Sequence, residues 1–184
     1  MRQALIKMIR QVVPGLALFL FILPSVCFSQ NIQMHNVTSF VHNPAELANW
    51  FAQDFQYETE MPDSWQNAGE TVLVKKGDCE DFAILAQEVL KKLGIKSDIL
   101  VLKFQGLSQE HAVCMFKEGN YYSFISNQQL VRTSASTVTA AIAEQYSDWE
   151  SITFTDKNKN NLQFVSRDNS ASAVSAEFNT ALAK

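Results

Sequence analysis

A thiol flanked by carboxylates lies near the middle of the chain, in the tetrapeptide DCED at residues 78–81. From Cys79 to Leu93 the apolar residues recur every three or four positions and Gly94 follows, which predicts an amphipathic helix that ends there. Asp78 occupies the N-cap position, so Cys79 falls in the first turn, where unpaired amides and the helix dipole stabilise a thiolate. Cys79 is therefore a candidate nucleophile.

The acidic neighbours of Cys79 oppose that activation, because nearby carboxylates raise the pKa of a thiol. The helix dipole alone does not outweigh them, so a base is needed. Of the three histidines in the sequence, His111 is the best placed, because it begins an apolar run typical of a strand. The pattern therefore pairs Cys79 with His111 as nucleophile and base.

A predicted hairpin supplies a third position for this pair. Two strand-like runs begin at His111 and at Tyr121, and the link KEGN separates them. With the dipeptide EG as a two-residue turn, His111 lies opposite Ser126, whereas a three-residue turn places Asn127 opposite it. On the first register His111 and Ser126 share one face of the sheet.

The alternation of the same strand bears on the second cysteine. On that register Cys114 points to the face opposite His111, and so away from Cys79. This disfavours a disulfide between the two cysteines, and also a metal site built from Cys79, His111 and Cys114. We interpret Cys114 as a buried thiol that acts as a small apolar residue, and we expect no metal ion and no cofactor.

The part of the chain from Pro62 to Asn127 resembles the bacterial transglutaminase-like domain of the cysteine peptidase type. The resemblance implies an α+β fold with a papain-like core, in which the nucleophile helix packs on an antiparallel sheet. The segments that carry it are GDCEDFAIL at residues 77–85, HAVCMF at 111–116 and YYSFISN at 121–127.

The resemblance also implies roles for individual residues. Cys79 takes the place of the family's nucleophile and His111 that of its base, while the family's aspartate corresponds to Ser126. A carboxylate in that position orients the imidazole and stabilises its protonated form, whereas a serine only forms a hydrogen bond. Trp65 and Glu70 also match the family pattern, and Trp65 is expected either in the core or along a substrate cleft.

Three functions are compatible with this pattern. The leading hypothesis is a thiol-dependent amide or peptide hydrolase that acts on a peptide or a cell-envelope protein through a thioester at Cys79. The second is a transglutaminase-like module, weakened or inactive because of Ser126, that binds a peptide or an envelope ligand. The third, a redox protein, needs a disulfide between Cys79 and Cys114.

The remaining sequence predicts the elements around these residues. Helical spacing predicts a helix over 42–55 with Asn43 as its cap, and residues 57–78 are expected to form an ordered loop. A strand is expected at 97–104, followed by the hairpin that begins at His111. A short helix reaching about Tyr146 and a second hairpin from SITFTD and LQFVS complete the prediction.

The first 29 residues have the layout of a secretory signal peptide. Three basic residues precede an apolar stretch from Val12 to Leu23, and a small-x-small motif ends at Ser29. Retention as a membrane anchor is disfavoured, because the apolar stretch is short and is interrupted by Pro14. The sequence therefore predicts a periplasmic or extracellular protein that contacts a membrane only if this signal is not cleaved.

Residues 30–184 are expected to form a single domain with its core at 44–131. They carry twelve basic and nineteen acidic residues, a net charge of −7, which argues against nucleic acid as a partner. The expected partner is instead a peptide or protein substrate, which the cell envelope could supply. The sequence does not specify an oligomeric state.

Overall fold

The computed structural model describes residues 34–59, 62, 64–156, 158 and 160–169. These residues belong to one compact unit. The expected signal peptide, residues 1–29, and the chain beyond Asn169 lie outside the described residues. None of the helices in the described ranges is both long enough and apolar enough to cross a bilayer.

Within these residues the chain forms four α-helices, eight β-strands and two 3-10 helices. The α-helices are α1 (Pro44–Asp54), α2 (Ala68–Val74), α3 (Cys79–Lys92) and α4 (Val138–Gln145). The strands are β1 (Gln56–Tyr57), β2 (Lys76–Gly77), β3 (Ser97–Phe104), β4 (His111–Glu118), β5 (Tyr121–Ser126), β6 (Gln129–Arg132), β7 (Trp149–Thr155) and β8 (Asn161–Ser166). The 3-10 helices cover Met34–Ser39 and Arg167–Asn169.

Six of the strands form one antiparallel sheet in the order β6-β5-β4-β3-β7-β8, while β1 and β2 form a separate short parallel pair. The helix α3 packs against β3, β4 and β5 in the middle of the large sheet. This arrangement confirms the expected α+β class, in which the helix that begins at Cys79 lies on an antiparallel sheet.

The alternation of side chains along the strands divides the apolar core between the two faces of the sheet. The face covered by α1, α2 and α3 is called the α3 face, and the face covered by α4 is called the α4 face. Strand residues buried on the α3 face include Ile99, Cys114, Phe116 and Ile125. Those buried on the α4 face include Leu100, Val113, Met115, Phe124 and Ile152.

The helix α1 begins as the sequence predicts. Asn43 Oδ1 accepts a hydrogen bond of 2.9 Å from the backbone N–H of Glu46, and Pro44 occupies the first turn, where its missing N–H costs nothing. On the inner side of the helix Leu47 and Phe51 are fully buried. The predicted amphipathic helix is therefore confirmed.

The segment 57–78 is not the ordered loop that its sequence predicts, because it contains α2 and most of the β1–β2 pair. A capping box starts α2. Asn67 Oδ1 accepts a hydrogen bond of 3.1 Å from the backbone N–H of Glu70, while Glu70 Oε2 accepts one of 2.9 Å from the backbone N–H of Asn67. The helix has seven residues, too few to display a helical period in the sequence.

The hairpin between β4 and β5 is confirmed, but its register differs from the prediction. The turn consists of Gly119 and Asn120, one residue later than predicted, so Ser126 lies opposite Val113 instead of His111. Gly119 has a positive φ of 64°, which suits the first central position of a tight hairpin turn. A pairing slip of two residues preserves the alternation, so His111 and Ser126 still share a face.

The C-terminal elements also follow the prediction. The helix α4 ends just before Tyr146, and β7 pairs with β8 as the second hairpin. The strand β6 was not predicted from the sequence. It has four residues and follows β5 after a two-residue turn, so its pattern is too short to recognise.

Candidate active site

The helix α3 begins at Cys79, as the sequence predicts. Asp78 precedes it in an extended conformation with φ of −115°, and its carbonyl oxygen accepts the first helical hydrogen bond, 3.1 Å from Phe82 N. The thiol therefore lies at the positive end of the helix dipole.

A buried carboxylate holds this helix start in place. Asp81 is 1% exposed and accepts hydrogen bonds from the backbone N–H of Gln66 at 2.7 Å and of Asp78 at 3.3 Å. Gly77 leaves room for the carboxylate, since a Cβ on that glycine would lie 2.7 Å from Asp81 Cβ. Asp81 thereby ties the segment before α2 to the turn that carries Cys79.

The pKa of Cys79 is raised to about 12, and burial of the thiol is the largest cause. The backbone N–H of Ala112 donates a hydrogen bond to Sγ and lowers the pKa, but the thiol also donates to Glu80 Oε2 at 3.1 Å, which raises it. The charges of Glu80 and Asp78 raise it further. The thiol is therefore protonated at neutral pH. The sequence predicted that the carboxylates raise its pKa, but it did not reveal the burial that raises the pKa further.

His111 is the first residue of β4, and its ring lies on the α4 face. Nε2 is 2.9 Å from Ser126 Oγ. Burial lowers the pKa of the imidazole, so His111 is neutral at neutral pH. Because Nε2 is engaged with Ser126, Nδ1 is the nitrogen that can exchange a proton with a group in the pocket.

The hydrogen bond of His111 continues beyond Ser126. Ser126 Oγ lies 3.0 Å from the hydroxyl oxygen of Tyr146, a residue that caps the C-terminal end of α4. The rings of Tyr146 and His111 are 5.9 Å apart in an edge-to-face arrangement. Asn127, the alternative third residue, instead forms the β5–β6 turn with φ of 50°. Of the two residues that the sequence left open, Ser126 is the one that contacts His111.

Cys79 and His111 line the same pocket, which has a volume of about 430 Å³. Ala112, the residue that follows His111, also lines this pocket, and its backbone lowers the pKa of the Cys79 thiol. The wall of the pocket also includes Tyr57, Trp65, Asp78, Glu80 and Glu110, and none of its described lining residues is a lysine or an arginine. Across the described part of the chain, no three or more His, Cys, Asp or Glu residues are grouped so that they could hold a metal ion.

Trp65 satisfies both expectations that the sequence raised. It is partly buried against the apolar cluster of the α3 face, and it lines the pocket of Cys79 together with a neighbouring pocket of about 410 Å³. Glu70 lines only the neighbouring pocket, where it also caps α2. Trp65 therefore joins the two cavities, whereas Glu70 lies outside the one that holds Cys79.

Cys114 does not lie on the side of the sheet away from Cys79, contrary to the prediction. Cys114 belongs to the apolar cluster of the α3 face, and Cys79 packs against the same cluster because α3 carries it. Both cysteines are free, and Cys114 is completely buried. Burial is the largest cause that raises the pKa of Cys114 to about 12.

Comparison with known proteins identifies a family for this arrangement. A family model described as a transglutaminase-like domain matches residues 29–155. The chain belongs to the transglutaminase-like domain family. The resemblance inferred from the segments around Cys79 and His111 is thereby confirmed, and membership supports a thiol-protease-like module at a coarse level. No curated protein sequence shows a detectable match to the chain.

Several solved structures are similar to the chain at low identity. Calcium-bound LapG of Legionella pneumophila is 18% identical over 79% of this chain and 83% of its own, with a TM-score of 0.49. The EGTA-treated form of LapG is 19% identical over 68% of this chain and 70% of its own, with a TM-score of 0.44. A candidate cysteine protease from Cytophaga hutchinsonii is 19% identical over 53% of this chain and 36% of its own, with a TM-score of 0.43.

Two contributors to the site were not predicted from the sequence. The backbone of Ala112 lowers the pKa of Cys79, and the hydroxyl oxygen of Tyr146 lies 3.0 Å from Ser126 Oγ. Ala112 could have been suspected, because it follows His111 directly. Tyr146 lies in a Ser/Thr/Ala-rich segment that carries no signal of a site.

Proposed function

We propose that this protein is a secreted thiol-dependent amide or peptide hydrolase, with Cys79 as nucleophile, His111 as general base and Ser126 as the residue that orients the imidazole. One observation carries the proposal. Cys79, at the start of α3, and His111, at the start of β4, line one pocket of about 430 Å³. A thiol and a neutral imidazole therefore line one cavity, and acyl transfer requires both groups beside the same carbonyl.

In the first step the Cys79 sulfur attacks the carbonyl carbon of the substrate amide, and the thiol proton moves to His111 Nδ1 as the C–S bond forms. The backbone N–H of Cys79, at the positive end of α3, donates to the oxyanion. The proton then passes from Nδ1 to the leaving amine. The C–N bond breaks, and a thioester remains on Cys79.

In the second step water attacks the thioester and gives a proton to His111 Nδ1. The C–S bond breaks, the sulfur takes that proton back, and the acyl group leaves as a carboxylic acid. Because the pKa of Cys79 is about 12, the thiol carries its proton until a base removes it. The reaction therefore depends on general-base catalysis by His111 instead of a preformed ion pair of thiolate and imidazolium.

The charge of the pocket bears on the substrate class. Asp78 and Glu80 contribute carboxylates to its wall, whereas the carboxylate of Glu110 pairs with Lys103 at 3.1 Å, and no lysine or arginine stands among the described lining residues. A peptide with neutral or basic residues beside the scissile bond is therefore favoured over an acidic one. Peptides and proteins of the cell envelope are the proposed source of such substrates.

Acylation of Cys79 tests the proposal. The activated ester p-nitrophenyl acetate should acetylate the wild-type protein with a burst of p-nitrophenolate, and intact mass should report one added acetyl group. Cys79→Ala should abolish the burst, and His111→Ala should slow it by about 10²- to 10⁴-fold. Cys114→Ala, which removes the other thiol, is the matched control and should stay within about twofold of the wild type. Acetylation no faster than that of the denatured chain would overturn the proposal.

A transglutaminase-like module that binds a peptide without cleaving it is the second candidate. Two observations favour it, the pKa of about 12 at Cys79 and the serine at the position of the family's aspartate. Ser126→Asp separates the candidates, because a carboxylate stabilises the protonated imidazole. The substitution should raise the acetylation rate of a weakened hydrolase and should leave a pure binding module inactive.

Secretion is part of the proposal and depends on residues 1–29. Expression of the full chain in a bacterial host, followed by cell fractionation and intact mass measurement, should find the protein outside the cytoplasm with these residues removed. A full-length chain confined to the cytoplasm would contradict this part of the proposal without affecting the thiol chemistry.

A further inference from the structure

The serine that contacts His111 can act in two opposite ways. A hydroxyl both donates and accepts, so Ser126 can give its proton to Nε2 or accept the proton that Nε2 carries, whereas a carboxylate only accepts. The choice decides the tautomer of His111. A base needs its lone pair on Nδ1, and therefore its hydrogen on Nε2. Ser126 alone does not select that tautomer.

Tyr146 gives the hydroxyl of Ser126 a second partner. Ser126 Oγ lies 2.9 Å from His111 Nε2 and 3.0 Å from Tyr146 OH, and within the described structure these are the partners of the serine hydroxyl. If the phenol oxygen accepts the serine proton, Oγ can accept the hydrogen of Nε2. If the phenol instead donates to Oγ, the serine proton goes to Nε2 and the hydrogen of the ring lies on Nδ1. Without the phenol, the serine proton has Nε2 as its remaining acceptor, which produces the opposite tautomer.

The position of the phenol is fixed from several directions. The backbone N–H of Tyr146 donates to the carbonyl of Ile142 at 2.8 Å, at the end of α4. Its ring lies 5.6 Å from that of Phe104 and 6.1 Å from that of Phe124, in addition to its edge-to-face contact with His111. Burial raises the pKa of Tyr146, so the phenol remains neutral at neutral pH. A neutral and fixed hydroxyl is suited to orient a neighbouring hydrogen bond.

We propose that Tyr146 is a positioning residue of this site, which accepts the Ser126 proton so that Ser126 accepts a hydrogen bond from His111 Nε2 and leaves Nδ1 as the base. The Ser126–Tyr146 pair then replaces the carboxylate of the family pattern. This inference rests on the proposed hydrolase function. The tautomer of His111 can nevertheless be measured in a protein that catalyses nothing.

Nitrogen-15 NMR of the histidine side chains of the full chain reads the tautomer directly. In the wild type we expect the hydrogen on Nε2 of His111, and Tyr146→Phe, which removes only the phenol oxygen, should shift the population towards hydrogen on Nδ1. Tyr121→Phe, at an exposed tyrosine of β5, is the matched control and should leave the His111 signals unchanged. A wild type with its hydrogen on Nδ1, or an unchanged spectrum in Tyr146→Phe, would overturn the proposal.

Acetylation kinetics test whether Tyr146 acts through Ser126. Tyr146→Phe should slow acetylation by about tenfold to a thousandfold, within the limit of about 10⁴ seen when an orienting carboxylate is lost. Adding Tyr146→Phe to Ser126→Ala should cause no further loss, because both changes interrupt one relay. In Ser126→Asp the carboxylate accepts from Nε2 unaided, so Tyr146→Phe should change the rate by less than about twofold. An equal loss in the Ser126→Asp and wild-type backgrounds would overturn the relay.

The positioning role of Tyr146 and the hydrolase function can be rejected independently of each other. A tautomer shift in a protein that never acetylates supports the role of Tyr146 and rejects the hydrolase. Normal acetylation by Tyr146→Phe, with an unchanged tautomer, retains the hydrolase and rejects the role of Tyr146. Thermal denaturation of each variant establishes that it is folded, and the Ser126→Asp background provides the test if Tyr146→Phe alone is unstable.

Discussion

The two faces of the sheet contribute unequal parts to the site. The α3 face presents Cys79 with two carboxylates, those of Asp78 and Glu80, whose charges add to burial in raising the pKa of the thiol. The α4 face presents His111 with two hydroxyls, those of Ser126 and Tyr146, and the pKa of the imidazole is lowered by burial. Charge therefore surrounds the nucleophile, and neutral dipoles surround the base.

This difference separates two ways of tuning the site. A change of charge on the α3 face should alter the reactivity of Cys79 more than the tautomer of His111, because a thiolate carries the charge that carboxylates repel. A change of hydroxyl on the α4 face should do the reverse. Substitutions that only lower the stability of the whole domain should not change this difference between the reactivity of Cys79 and the tautomer of His111.

Cavities created in the core should have the largest effect on the free energy of unfolding, and the loss should be similar for the two faces of the sheet. Phe82 on α3 and Phe124 on β5 are fully buried, so replacement of either by alanine should lower the free energy of unfolding by about 3–5 kcal/mol. Urea denaturation followed by tryptophan fluorescence measures the loss. Leu162→Ala, at a side chain that is 67% exposed, is the control and should change the stability by less than about 0.5 kcal/mol. Similar losses at all three positions would contradict the two-layer core.

The buried carboxylate of Asp81 should be the most sensitive polar group on the α3 face. Asp81→Ala removes the acceptor for the backbone N–H groups of Gln66 and Asp78, which should cost about 2–4 kcal/mol of stability. Because these bonds hold the start of α3, the rate at which iodoacetamide alkylates Cys79 should also change. Glu150→Ala, at an exposed residue of β7, should alter neither quantity. A stability equal to that of the wild type would show that Asp81 does not anchor the helix.

Glu80→Gln sharpens the contrast between the faces by removing one charge beside the thiol. Since the charge of Glu80 raises the pKa of Cys79, its removal lowers that pKa and increases the thiolate fraction at a given pH. Alkylation near neutral pH should become faster, by up to about tenfold, because the thiolate is the form that iodoacetamide alkylates. Glu110→Gln, at the rim of the same pocket, should have a smaller effect. The prediction fails if the pH profile of alkylation moves to higher pH in Glu80→Gln.

The smallest expected effect concerns His111 on the α4 face and the dependence of the free energy of unfolding on acid pH. Burial lowers the pKa of His111, so the unfolded chain binds a proton more readily than the folded protein does. The stability contributed by this neutral imidazole is complete above its ordinary pKa of about 6.5 and is lost as the pH falls through the lowered value. The free energy of unfolding should therefore fall less between about pH 7 and pH 5 in His111→Gln than in the wild type. Equal slopes would mean that His111 titrates like an exposed histidine.

Local patterns in the sequence were sufficient for much of this site. The N-cap and the apolar period predicted that α3 begins at Cys79, and alternation predicted that His111 and Ser126 share a face. The second prediction was correct even though the β4–β5 turn was placed one residue too early, because a pairing shift of two residues leaves every side chain on the same side of the sheet. Helix α2 was missed because seven residues display too little of a period.

The remaining features depend on contacts between distant segments. Tyr146 lies twenty residues beyond Ser126, and no local pattern links the two. The burial that raises the pKa of Cys79 depends on how α3 packs against β4. The position of Cys114 was predicted wrongly for a related reason. Alternation predicts that Cys114 and His111 lie on opposite faces of the sheet. It does not predict which of those faces is covered by α3, the helix that carries Cys79.

The protonated state of Cys79 affects how readily its thiol is oxidised. Because its pKa is raised to about 12, Cys79 carries very little thiolate at neutral pH. Oxidation and disulfide exchange both proceed through the thiolate, so this thiol reacts slowly with oxidants. In the oxidising surroundings that the proposed secretion implies, Cys79 would persist in its reduced form until a substrate fills the pocket and His111 takes the proton.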